Sequence, residues 1–409
     1  MALIKCKECN HEISSTAEFC PHCGYKNDVR TCPECGALVK EDDEICKECG
    51  YPLKQETNSN IITENLDKIT GAQSKSYVTF KDLFKNTFNK HTEEDLDALF
   101  ICGGDTTTPK IKDLDPRNVS AWVYLKILLF FIVAYIPVRI GFISFGNYNF
   151  LPAMVILAAF AIPFAVLMFF FEINVFRNIP FYKIMKYFVW GGALSLIVAI
   201  LFFTLNFNYD IATFDGALMV GLVEEVAKAT IVAFFLFKSK RSNYILDGLL
   251  IGSAVGAGFA AFETAGYILR WFLQSGVDSM LQVIILRGFL APGGHVVWAA
   301  IEGAALMYVK GFDKLDKKHL NDKRFLLTCL IPIILHGIWD MPIPSPFAIV
   351  QIILTIIAWL VVIYFINLGL KQVDDAKVLE LKKEDTIQEE RYQRIKIRLR
   401  NRSLTLIFH

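Results

Sequence analysis

The first hundred residues hold no long apolar stretch, so a cleavable signal peptide is not expected. Charge is scarce as well. Asp, Glu, Lys and Arg make up 20% of 409 residues, and the formal net charge of +1 shows no excess of one sign. A globally basic nucleic-acid binder is thereby excluded, and no nucleic-acid partner is expected. Beyond residue 50 cysteine is almost missing. Only Cys102 and Cys329 occur there, without an evident partner, and they read as small apolar residues. A secreted disulfide scaffold does not fit that distribution. What the chain has in abundance is apolar surface: 54% hydrophobic residues, 34 Phe and a mean hydropathy of +0.40. A soluble fold does not hide that much, so the class is a multi-pass membrane protein.

Four zones follow from composition: a cysteine-rich module at 1–54, a polar stretch at 55–120, an apolar region at 121–370 and a charged tail at 371–409. The module repeats with a period of 26, since Cys6, Cys9, Cys20 and Cys23 return as Cys32, Cys35, Cys46 and Cys49. Each unit reads C-x2-C-x10-C-x2-C, with Gly24 or Gly50 closing the second knuckle in a left-handed turn. Four thiolates at this spacing surround one tetrahedral zinc, so two structural zinc ribbons are expected. Units this short have little core, and metal binding is their folding energy. Over residues 1–54 there are 7 Lys+Arg against 10 Asp+Glu, which disfavours phosphate binding. Docking of a cytosolic protein is the better reading, with inert structural capping close behind.

In the polar stretch, Phe80, Leu83, Phe84 and Phe88 fall at helical spacing, and Thr92 is placed to cap a helix ending near Gly103 and Gly104. The first of these suits a membrane surface or the face of the ribbons. The tail turns basic through Arg391, Arg394, Lys396, Arg398, Arg400 and Arg402, which suits a solvated helix near anionic lipid.

Apolar stretches long enough to cross a bilayer run near 122–145, 151–171, 184–205, 214–237, 244–272, 281–309, 325–341 and 347–370. The expected fold is therefore all-α, a polytopic bundle of about eight spans, with Pro292-Gly293-Gly294 breaking the sixth. Alternate loops carry eleven Lys and Arg, among them Lys238, Lys240, Arg241, Lys314, Lys317 and Lys318, while the opposite loops carry none. The positive-inside rule then puts both termini in the cytosol, which also keeps the thiols reduced.

Charges at membrane depth are costly and usually mark a site. The fourth span holds Glu224, Glu225 and Lys228, the fifth Glu263, the sixth His295 and Glu302, and the seventh His336 and Asp340. Glu224 lies ten residues in from Phe214, about 15 Å at the helical rise, and Glu263 and His295 reach a similar level. Glu224 and Lys228 share a face at i, i+4 and are expected to pair, as are His336 and Asp340, while Glu225 addresses another neighbour. Glu263 is a candidate counter-ion for Lys228, and Arg139 and Arg287 read as snorkelling to the surface. Gly248, Gly252, Gly256 and Ala260 form a small-residue ridge for close helix packing.

These groups suit hydrolysis. A carboxylate in a low-dielectric pocket is a competent base toward water, and a histidine with an acid can stabilise an oxyanion. Glu224, His295 and His336 also make a three-ligand zinc set with an open fourth position.

Glu224-Glu225-x-x-Lys228, Phe259-x-x-x-Glu263, His295 and His336-x-x-x-Asp340 resemble the PrsW family of intramembrane proteases, within the wider group of CAAX endopeptidases and Abi proteins. The likeness covers roughly residues 120–370. It implies Glu224 as general base, Glu225 as its partner, His295 as a second activating or ligand residue, and His336 with Asp340 binding the oxyanion or a metal. It also implies a membrane-protein substrate, such as an anti-sigma factor. Where the CAAX enzymes carry FxxxH this chain has FxxxE at Glu263, and Lys228 stands where they have an arginine at a different offset. Two other classes remain open from the residues alone: an ion-coupled transporter using the same carboxylates as a relay, and a non-catalytic scaffold displaying the ribbons.

Overall fold

The computed structural model describes residues 3–6, 8–9, 11–14, 20–24, 30–31 and 38–39 of one unit, Met1–Asn58. In the second unit, Ser59–His409, it describes residues 61–72, 76–205, 213–344 and 346–405. The first unit contains two antiparallel hairpins. β1 (Leu3–Lys5) pairs with β2 (Glu12–Ser14), with Ile4 opposite Ile13, and β3 (Arg30–Thr31) pairs with β4 (Leu38–Val39). The first hairpin carries Cys6 and Cys9 in its turn.

The second unit is helical. Three short helices lead in: α1 (Ile61–Thr70), α2 (Phe80–Leu83) and α3 (Glu93–Phe100). Thr79 and Thr92 open α2 and α3 with reciprocal capping boxes to Asp82 and Asp95, which satisfies the free N–H groups of each first turn. The helix read at Phe80–Phe88 shrinks to one turn. Its apolar residues pack on the bundle, Phe84 stacking 5.4 Å from Phe169, while Phe88 stays exposed.

Eight longer helices follow: α4 (Val123–Ile143), α5 (Leu151–Ile173), α6 (Phe181–Thr204), α7 (Phe214–Lys238), α8 (Ile245–Leu290), α9 (His295–Lys310), α10 (Lys323–Asp340) and α11 (Ile349–Thr405). Buried Glu172 caps α4 from the end of α5, accepting from the N–H groups of Trp122, Val123 and Tyr124 at 2.7, 2.7 and 2.9 Å. Five stretches among the described residues are long and apolar enough to cross a membrane: Val123–Ile143, Tyr148–Ile173, Phe181–Thr204, Ile245–Lys310 and Ile349–Glu380. By that measure the count of eight is not reached. Helix α7 carries Glu224, Glu225 and Lys228 along its middle, and α10 carries Lys323 and Arg324 at its start and Asp340 at its end, so neither is apolar enough to be counted.

The loop read at 273–280 collapses to a single kink at Gly276 (φ 78°, ψ −168°), and α8 runs on as a second arm to Leu290. The real interruption is the 3-10 turn Ala291–Gly293, where Pro292 supplies no N–H to continue the ladder. Helix α9 then starts at His295.

Two glycine seams set the geometry of the site. A Cβ at Gly252 or Gly256 would strike the carbonyl oxygen of Ala299 or of His295, so α8 and α9 touch backbone to backbone. Between α7 and α10, a Cβ at Gly221 would lie 2.7 Å from the Gly337 nitrogen. That contact puts the turn bearing Glu224 and Glu225 against the turn bearing His336.

Candidate active site

Of the eight ionisable residues singled out within the spans, Glu224, Glu225, Lys228, Glu263, His295, His336 and Asp340 are brought together by α7, α8, α9 and α10, with Asp340 at the exposed edge and Glu302 buried on α9. Glu225 Oε1 accepts from His336 Nδ1 at 2.5 Å and from Lys228 Nζ at 2.7 Å, with Glu225 and Lys228 wholly buried. Lys228 Nζ also lies 2.8 Å from His295 Nδ1 and 4.4 Å from the centre of the Phe259 ring. His295 Nε2 is 3.0 Å from Glu263 Oε2. That oxygen receives Arg287 Nη2 at 2.5 Å. At the other end, His336 Nε2 stands 3.3 Å from Asp340 Oδ2 and 3.8 Å from Glu224 Oε2. A continuous polar chain thus runs from Asp340 through His336, Glu225, Lys228, His295 and Glu263 to Arg287.

The partners settle the histidine tautomers. An ammonium only donates, so His295 Nδ1 carries the lone pair and Nε2–H is directed at Glu263. His336 Nδ1 faces a carboxylate and bears a proton, which turns Nε2 toward Glu224 and Asp340. The rings of His295 and His336 lie 5.1 Å apart, and Trp298 stacks on His336 at 4.5 Å. Glu224, Glu263, Arg287, His295, His336 and Asp340 all line one cavity of about 190 Å³.

Three pairings differ from the sequence expectation. Lys228 binds Glu225, three residues away, rather than Glu224. Both spacings share a helix face, but Glu225 points inward to His336 while Glu224 is turned to the cavity. Glu263 has Arg287 and His295 as its partners rather than Lys228. Arg287 does not snorkel. Its Nε donates to Thr264 Oγ1 at 3.0 Å and its guanidinium lies 4.4 Å from the Tyr267 ring centre, because the α8 kink folds the second arm back over the first. Arg287 and Trp298 were not legible as site residues. The one available signal was an arginine in an apolar run with no acid beside it on its own helix.

Glu224, His295 and His336 each offer a ligand atom, all within 4.8 Å of one another, so the donor set fits a metal ion. His295 would join by releasing either Lys228 or Glu263, since both its nitrogens are engaged. The carboxylate on His336 Nδ1 is the outer partner that orients a ligating imidazole.

In the first unit, the sulfurs of Cys6, Cys9, Cys20 and Cys23 also lie within 4.8 Å of one another. The pairs Cys6–Cys23 and Cys9–Cys20 stand at 3.6 and 3.5 Å. The edge of a zinc tetrathiolate is about 3.8 Å, so the set fits zinc. Gly24 has the left-handed φ of 72° expected of it. The Cys9 backbone N–H pulls the Cys6 thiol down to about 6, which favours the ligating thiolate. Cys32, Cys35, Cys46 and Cys49 lie outside the described residues.

Residues 180–368, which contain every member of the polar chain, match the family model described as PrsW family intramembrane metalloprotease. These residues are similar to the PrsW-family protease domain. Residues 6–50 match the double zinc ribbon model. Proteins named Protease PrsW are similar to about half of the chain. That of Clostridioides difficile is 29% identical over 194 residues, covering 46% of this chain and 78% of the relative. That of Halalkalibacterium halodurans is 26% identical over 217 residues, covering 52% and 95%. That of Oceanobacillus iheyensis is 23% identical over 189 residues, covering 45% and 82%. No solved structure gives a significant match. Helices α4 and α5 and the ribbons lie outside the PrsW match.

Proposed function

We propose that the chain is an intramembrane peptidase that hydrolyses a peptide bond of a membrane-protein substrate, with Glu224 as the group that activates water. The observation that carries this reading is the cavity of about 190 Å³ into which Glu224 and the His336 imidazole both project from separate helices. Water entering there meets the Glu224 carboxylate, which takes its proton as the oxygen attacks the scissile carbonyl carbon. The oxyanion accepts from His336 Nε2–H of the doubly protonated ring, which Asp340 Oδ2 orients as an acceptor. The proton on Glu224 then passes to the leaving nitrogen, and the C–N bond breaks. Glu225 holds the His336 ring through Nδ1, and Lys228 offsets the Glu225 charge. Glu263, clamped by Arg287, holds His295.

A zinc ion in this domain would be held by Glu224, His295 and His336 and would polarise the scissile carbonyl. Zinc counting separates the two forms. The full chain is expected to retain two zinc ions if only the ribbons bind metal, and a third, lost in His336→Ala, if the domain does. Chelation should remove the ribbon zinc and unfold the first unit in either case.

In this reading the chain lies in the cell membrane with both termini cytosolic. The zones 1–54, 55–120, 121–370 and 371–409 are ribbon module, linker, protease domain and cytosolic tail. The ribbons receive a cytosolic protein, and an anti-sigma factor is the first substrate to try. The test compares membrane-protein fragments between cells carrying the wild-type chain and Glu224→Gln. General-base loss costs about 10²–10⁴-fold, so one or more fragments should vanish in the variant while membrane insertion is unchanged. Identical fragment sets would overturn the assignment.

A further inference from the structure

Glu302 follows His295 by seven residues, two turns of α9, so it occupies the same face one layer deeper. It is 1% exposed, and neither of its carboxylate oxygens has a hydrogen-bond partner. Trp298, midway between them, leaves its Nε1–H equally unpartnered. So does Glu225 at Oε2, although Oε1 of the same carboxylate takes bonds from both His336 and Lys228. The charged and titratable groups within electrostatic reach of Glu302 are Glu225 and Lys228 on α7 and His336 and Cys329 on α10. Three orphaned polar atoms on Glu302 and Trp298, with the orphaned edge of the Glu225 carboxylate, are costly, and a leucine at position 302 would remove the two on Glu302 if the site only needed filling.

We propose that Glu302 and Trp298 form a second polar layer that holds the free edge of Glu225 through an interior water, making Glu302 a positioning residue for His336. A single water can accept from Trp298 Nε1–H and donate to Glu225 Oε2 and Glu302, which satisfies one atom of each side chain. Trp298 also stacks on the His336 ring, so the layer grips both ends of the Glu225–His336 hydrogen bond. Glu302 touches no substrate. It acts by keeping His336 Nε2 aimed into the cavity. This inference rests on the peptidase reading.

The test uses the full chain in lipid vesicles and the membrane protein whose fragment is lost with Glu224→Gln. Glu302→Leu should lower kcat about 10- to 100-fold with KM unchanged, the scale expected for an outer partner of a working group, while Tm holds or rises. Glu302→Gln keeps a polar group facing Glu225 and should recover most of kcat. Trp298→Phe, which retains the stacking but removes the N–H, should lose kcat in the same range, and it decides the matter should the leucine variant fail to fold. Wild-type turnover in Glu302→Leu or in Trp298→Phe overturns the proposal. So does a glutamine variant as slow as the leucine variant when both are folded. If the wild-type chain cleaves nothing that Glu224→Gln does not, the peptidase reading fails instead.

Discussion

Lys228→Met is expected to lower stability by about 3–5 kcal/mol and to abolish measurable cleavage. The ammonium is wholly buried, 2.7 Å from Glu225 Oε1 and 2.8 Å from His295 Nδ1. Removing it strands the Glu225 charge in the bundle and frees the His295 ring on one side. Removing both charges separates the two effects. In Glu225→Gln/Lys228→Met the Glu225 charge is no longer stranded, so thermal stability should largely return. Turnover should stay at least about 10-fold low, because His295 has lost the group that fixed its tautomer. Equal recovery of stability and turnover would mean that Lys228 serves only to neutralise Glu225.

The second large effect is mechanical. A Cβ at Gly221 meets the Gly337 nitrogen at 2.7 Å and the Ile333 carbonyl oxygen at 2.9 Å. Both are backbone atoms that cannot swing aside, so Gly221→Leu must push α10 away from α7. A displacement on the order of 1 Å carries His336 off the Glu224 and Glu225 carboxylates and is expected to cost about 10²-fold in kcat. Gly266, where a Cβ meets nothing within 4 Å, is the control, and Gly266→Ala should turn over normally. Parallel measurement of kcat and of folded yield for the two variants checks this. Normal turnover in Gly221→Leu would show that the seam does not set the site.

The polar residues of the domain were legible because charge inside an apolar run has no innocent explanation, and Glu224, Glu225, Lys228, Glu263, His295, His336 and Asp340 all announced themselves that way. Their connectivity was not. Helical spacing allowed Lys228 to pair with either glutamate, and only the approach of His336 decides for Glu225. Arg287 was misread because its role depends on the Gly276 kink, which turns one long helix into two arms in contact. Trp298 carries no signal in the sequence, because its stacking on His336 belongs to tertiary structure alone. The ribbon spacing, by contrast, is local. A knuckle is closed by neighbours in sequence, so Cys6, Cys9, Cys20 and Cys23 could be grouped before any fold was known.

Whether the central cavity holds water is open to direct measurement. Val220 sits one turn before Glu224 and lines that cavity, whereas Leu222 faces outward from the same helix. A cysteine placed at each position can be probed with a charged methanethiosulfonate, which reacts only with a hydrated thiolate. Rapid modification of Val220→Cys, blocked by bound substrate, with Leu222→Cys inert, is the predicted result. A Val220→Cys as unreactive as Leu222→Cys would mean that the acids and imidazoles share no solvent, and hydrolysis there would have no water to use.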